Sequence, residues 1–163
     1  MSKEGKTEME KSEAEQLLKE EDTGCLCLSN EDGEPYGVPV SYAFIDGRII
    51  FHCSLKGKKL DFVRENQRVS FVVSRHPGRV RPHHPEKGCD YRYESVICSG
   101  KAEIIKDMKK RHELLNKFLA HFNVRLGKKP DENLIPKEVA SNVGCVVIEI
   151  QNIAGRKKIK TKD

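Results

Sequence analysis

A chain of 163 residues has the length of one domain, since domains commonly run to about 100–200 residues. Charged side chains make up 34% of it against 37% hydrophobic, which leaves no window with the ~18–20 apolar residues of a membrane helix. The leading MSKEGKTEMEK lacks the apolar run of a secretory signal, so a cytoplasmic domain with no membrane partner is expected, its six cysteines (25, 27, 53, 89, 98 and 145) held as thiols.

The formal charge of +5 is unevenly placed. Residues 1–21 carry four lysines against seven glutamates, and residues 156–163 carry five basic side chains against one aspartate. Between them, Lys56, Lys58, Lys59, Arg64 and Arg68 outnumber Asp61 and Glu65. A compact cluster of this kind suits a phosphate-bearing small molecule. A nucleic-acid partner is not expected, because a long polyanion calls for a broader basic face with interleaved aromatics and aromatics are only 6% of this chain.

Leu17 and Leu18 among charged neighbours predict a short amphipathic helix over 9–21, ended near Gly24. GCLCLSN, PYGVPVSYAF and RIIFHCS then read as strands joined at Asp32-Gly33 and Asp46-Gly47. Asp-Gly favours the positive φ of tight hairpin turns, so residues 24–54 predict a three-stranded antiparallel meander. Alternation in the second strand sets Tyr36, Val38, Val40, Tyr42 and Phe44 on one face and Pro39, Ser41 and Ala43 on the other. Pro39 cannot donate to a ladder, so it marks either an ordinary edge or a place where backbone groups meet a ligand.

SLKGKKLDFVREN predicts a helix over 54–66, with Ser54 as N-cap and Gly57, Lys58 and Lys59 in its first turn. That turn reads equally as a phosphate grip of free amides and ammonium groups or as a solvated basic turn. QRVSFVVSR is a fourth strand, and residues 74–94 form a Pro/Gly/His-rich loop. Its His83, His84 and Cys89 are the nearest approach to a metal-ligand set, but no second CxxC or HxxxH element completes one, so no metal is expected. YESVICSGKAEII at 93–105 is a fifth strand with a bulge at Gly100. Leu115, Phe118, Leu119 and Phe122 predict a helix over 107–122, packed on the sheet. A polar stretch then leads to a sixth strand, VGCVVIEIQNI, and a basic tail.

In order along the chain, PYGVPVSY, FHCSLKGKK and YESVICSG resemble motifs of the flavin-binding split-barrel proteins related to pyridoxamine 5′-phosphate oxidase. The similarity is greatest to their nitroimidazole-reductase-like branch and runs from about residue 10 to residue 157. It implies a mainly β fold with a few flanking helices, a six-stranded antiparallel split β-barrel of the FMN-binding type. The expected organisation is a flexible N-terminus at 1–8, one domain at 9–157 and a basic tail at 158–163.

The same resemblance implies a homodimer with FMN in clefts between the two copies. Val38, Pro39, Val40, Ser41 and Tyr42 would line the flavin, with His52 and Cys53 beside it and Lys58 and Lys59 on its phosphate. Ser95 would reach the flavin across the dimer interface, and Gly155-Arg156-Lys157 would close the phosphate side. The oxidases' terminal tryptophan and Arg-Leu-His segment have no counterpart in a chain without tryptophan, and Tyr42 stands where they place a substrate-binding lysine. Pyridoxamine phosphate oxidation is therefore not the activity expected. The expected activity is reduction of a small electrophilic acceptor such as a nitroaromatic, with His52 as proton donor or acceptor. The alternative is a non-catalytic flavin or electron-transfer module in which His52 only contacts the cofactor.

Overall fold

The computed structural model describes residues 6–76 and 92–158. In chain order the elements are β1 (Lys6–Met9), α1 (Lys11–Glu20), β2 (Thr23–Ser29), β3 (Pro35–Ser41), β4 (Ala43–Ile45) and β5 (Arg48–Cys53). They continue with α2 (Lys58–Glu65), β6 (Arg68–Arg75), β7 (Tyr93–Ile104), α3 (Met108–Arg125), α4 (Lys137–Ala140) and β8 (Gly144–Lys158).

All pairings are antiparallel, and the strand order is β3-β2-β6-β7-β8-β5-β4, with β1 added on β8. The two ends of that order, β3 and β4, are halves of one stretch separated only by Tyr42. A sheet whose two edges belong to one short run of chain has to curl back on itself. The result is the mainly β, antiparallel split barrel that the sequence predicts. Six staves form it if residues 35–45 are taken as one; the break at Tyr42 and the addition of β1 raise the strand count to eight.

The hairpin signals hold. Asp46 and Gly47 both adopt positive φ, 52° and 74°, as a two-residue type I′ turn requires. Three boundaries are corrected. Of the N-terminus expected to be flexible over 1–8, residues 6–8 belong to β1, whose KTEM has no apolar alternation of its own and takes its register from β8, with Thr7 opposite Lys157. The tail expected from 158 begins inside β8, because β1 and β7 pair with that strand on both sides as far as Lys158. Helix α2 starts at Lys58 with Gly57, not Ser54, as its N-cap.

The barrel interior is filled by Leu26, Phe51, Phe71, Val96, Val146 and Ile148, each at most 1% exposed. Leu17 and Leu18 of α1 close one side, and Leu60, Phe62 and Val63 of α2 another. Each such side chain contributes roughly 1.5–3 kcal/mol by leaving water. A second cluster lies outside the barrel, where Leu114 and Leu115 of α3 cover Ile50, Cys145 and Val147. Strand β5 is thus buried on both faces over residues 49–51. Arg125 ties the end of α3 to the end of α1, donating to the carbonyls of Lys19, Glu20 and Glu21. Among the described residues, no helix is long and apolar enough to cross a membrane.

The bulge predicted at Gly100 is present, with the β7–β8 register shifting between Ser99 and Gly100. A Cβ there would lie 2.1 Å from the Glu149 carbonyl oxygen. Gly100→Ala is therefore expected to lower the urea midpoint by a loss of about 1–3 kcal/mol, the usual cost of overpacking. An unchanged midpoint would contradict this backbone approach.

A candidate cofactor cleft

The chain leaves β3 at Ser41, and beside that point β5 runs out of its helix cover. Phe51 points inward at 1% exposure, while the next residue, His52, is exposed on the outer face. Its ring meets the Phe118 ring of α3 edge-on, with centroids 5.0 Å apart and planes at 67°. Between β3, the end of β5 and the start of α2 lies a cleft of about 540 Å³. It is lined by Pro39, Val40 and Ser41 on one wall and by His52, Cys53 and Ser54 on the other. Lys59 stands at one end, and Asn142 and Val143, just before β8, complete the lining.

The cleft thus gathers six of the ten residues expected at a cofactor: Pro39, Val40, Ser41, His52, Cys53 and Lys59. Four others lie elsewhere. Val38 is half-buried with its side chain against the barrel core. Ser95 sits on β7, opposite Ser74 and Arg156, outside the lining. Tyr42, expected in the flavin-lining strand, turns its side chain into the core: it is 0% exposed, its hydroxyl donates to the Leu18 carbonyl at 2.9 Å, and burial drives its phenol far above the usual range. Strand alternation holds through this residue, since Tyr36, Val38, Val40, Tyr42 and Phe44 all pack against the barrel core.

The two lysines divide. Lys58 Nζ bonds Glu34 Oε1 at 2.9 Å and lies over the rings of Tyr36 and Phe62, at 5.0 and 5.2 Å. The Glu34 hydrogen bond raises its pKa. Successive helical residues project about 100° apart, and Lys59 turns instead into the cleft, where it forms no ion pair among the described residues. The first turn of α2 has no side-chain cap, and Gly57 adopts φ 140° with open space where a Cβ would be. Free N–H groups and one free ammonium therefore share this end.

Asn142 and Val143 were not singled out by the sequence reading. About 90 residues from His52, Asn142 ends a polar stretch without periodicity and Val143 opens the predicted sixth strand, and only the pairing of Cys53 with Gly144 brings them in. The terminal Lys157 does not face the cleft; it is engaged by Glu13 beside a separate cavity of about 420 Å³ under α1. Charges there satisfy one another, with Arg75 held between Glu20 and Glu94 at 2.6 and 2.9 Å. Among the described residues no group of three or more His, Cys, Asp or Glu side chains is arranged to hold a metal. His83, His84 and Cys89 lie outside the described residues.

Fold and cleft together define an antiparallel split barrel with an open cleft at the bend of one stave. Residues 10–157 match the family model described as pyridoxamine 5′-phosphate oxidase, and the chain belongs to that family. No curated protein matches the sequence. Solved structures do. A candidate 5-nitroimidazole antibiotic resistance protein from Bacteroides thetaiotaomicron is 20% identical, covering 93% of this chain and 87% of that one, with a TM-score of 0.77. A FAD-binding protein from Mesorhizobium loti is 22% identical over 94% of this chain and 99% of its own, at 0.71. A FAD and heme binding protein from Mycobacterium smegmatis is 18% identical over 98% and 76%, at 0.78. At such identities the likeness establishes the fold.

Cys53 reports on the cleft's electrostatics. Burial raises its thiol pKa, while Lys59 and Arg111 pull it down. A raised pKa leaves the thiol protonated at neutral pH, so alkylation accelerates as pH rises. Lys59→Gln removes one opposing charge, and Cys53 is expected to react several-fold more slowly with iodoacetamide at pH 8. Peptide mapping by mass spectrometry measures this, and an unchanged or faster rate would place Lys59 away from Cys53.

Proposed function

We propose that this protein is an FMN-dependent oxidoreductase that reduces a small electrophilic acceptor of the nitroaromatic kind, working as a homodimer. The observation that carries the reading is the convergence of the Pro39–Ser41 strand, His52 and an unpaired Lys59 on one cleft. The family supports it, as do neighbours named as FAD-binding proteins and one tied to nitroimidazole resistance.

The residues present fit a flavin mononucleotide. Lys59 and the uncapped amides of α2 would hold the phosphate, while Pro39, Val40 and Val143 offer apolar surface to a flat ring and Ser41 and Asn142 offer polar groups to its edge. The flavin, when bound, supplies the electron-transfer chemistry. His52, exposed at the outer side and braced by Phe118, is placed to give a proton to the acceptor as it is reduced. A second copy over the open side of the cleft would exclude water from it.

The phosphate assignment separates two neighbouring lysines. A charge-assisted hydrogen bond is worth about 1.5–3 kcal/mol, so Lys59→Ala is expected to weaken FMN uptake about 10- to 100-fold. Lys58→Ala, which removes a cation already held by Glu34, is expected to change it little. Riboflavin, lacking the phosphate, is expected to bind both variants like wild type. Quenching of flavin fluorescence reads all three, and equal losses in the two variants would refute the assignment.

For the reaction, flavin-loaded protein reduced anaerobically is expected to be reoxidised by a nitroimidazole in stopped-flow absorbance. His52→Ala is expected to retain FMN but slow that step by about 10²-fold, a typical loss for a proton-transfer group. Tight FMN binding with no reoxidation by any small acceptor would instead identify an electron-transfer module.

A further inference from the structure

Strand β2 carries Cys25 and Cys27 on one face, separated by Leu26, which points into the core at 0% exposure. Both thiols are partly exposed, and their sulfur atoms lie 3.9 Å apart. Neighbouring strands leave this place open. Cys27 is opposite Gly37 on β3 and Ser70 on β6, and Cys25 is opposite Pro39 and Val72. A Cβ added to Gly37 would meet nothing nearer than the Cys25 sulfur, at 3.6 Å.

A disulfide does not suit this geometry. Two rises of about 3.3 Å along a strand set the Cα atoms near the upper limit for a disulfide, with side chains parallel rather than converging. Chelation does suit it. A centre with sulfur bonds of about 2.3 Å spans two sulfurs about 3.3–3.8 Å apart, according to whether it is pyramidal or tetrahedral, and a small χ1 rotation reaches that range from the 3.9 Å found here. No third His, Cys, Asp or Glu joins the pair among the described residues, which selects for a centre satisfied by two protein sulfurs.

We propose that Cys25 and Cys27 form a chelating dithiol site for soft, thiophilic centres, with trivalent organoarsenicals as the ligand class. With an arsine oxide, two arsenic–sulfur bonds form and the arsenic–oxygen bond breaks. The oxygen leaves as water with the two thiol protons, and nothing is oxidised or reduced. Burial and the neighbouring Cys25 keep the Cys27 thiol protonated at neutral pH, so the adduct forms faster as pH rises. The proposal does not depend on flavin binding, although Cys25 faces Pro39 of the cleft wall across β2 and β3.

The test uses phenylarsine oxide and the full chain, read by native mass spectrometry. One arsenical per chain is expected to survive excess 2-mercaptoethanol and to be released by 2,3-dimercaptopropanol. Cys25→Ser and Cys27→Ser are each expected to abolish that retention, whereas Cys53→Ser and Cys89→Ser keep it. Far-UV circular dichroism checks that the variants are folded, and Cys25→Ala and Cys27→Ala replace any serine variant that is not. Loss of the wild-type adduct to 2-mercaptoethanol would overturn the proposal. So would retention in folded Cys25 and Cys27 variants, or its loss in Cys53→Ser or Cys89→Ser.

Discussion

One residue holds the two edges of the sheet together. Tyr42 separates β3 from β4, and its ring sits edge-on to Phe71 at 4.9 Å in the barrel core. Its hydroxyl reaches the Leu18 carbonyl and its N–H the Asp22 carbonyl, each at 2.9 Å. Both acceptors lie at or just beyond the end of α1, so the helix that closes the barrel also pins the bend of the stave. A buried phenol left without its acceptor would lose stability comparable to a missing hydrogen bond, about 1–3 kcal/mol. On one side of this pivot residues 35–41 pair with β2, and on the other residues 43–45 pair with β5. Curling of the sheet and the position of the cleft both follow from that change of partner.

The cleft is a consequence of where cover stops. Helix α3 buries Ile50 and Val147 on the outer face but leaves His52 exposed, in contact with Phe118 alone among the aromatic rings described. Opposite it, Pro39 and Ser41 face outward from an edge strand whose remaining partner is β2. The uncapped start of α2 then brings positive potential to one end. Apolar wall, exposed imidazole and free ammonium therefore come from three elements that share no local sequence signal.

Much of the barrel was legible from period-2 alternation, two Asp-Gly turns and the helical spacing of Leu115, Phe118 and Phe122. These are local signals, and the structure honours them. What escaped was set by partners. KTEM becomes a strand only because β8 offers an edge, and alternation keeps Tyr42 on the core face while giving no sign of the break between β3 and β4 there, which only the closed sheet imposes. Lys58 and Lys59 look alike in sequence; Glu34, on the hairpin loop before β3, decides which of them stays free. Asn142 and Val143 enter the cleft through the pairing of β5 with β8, so nothing near them in the chain announces it.

The central claim is that the bend of the 35–45 stave frames a flavin-binding cleft. Mixing purified protein with excess FMN and separating it by gel filtration, with visible absorbance followed across the column, tests this most directly. Flavin absorbance is expected to elute with the protein, at the volume of a dimer. Colourless protein, with all the flavin in the small-molecule fraction, would contradict it.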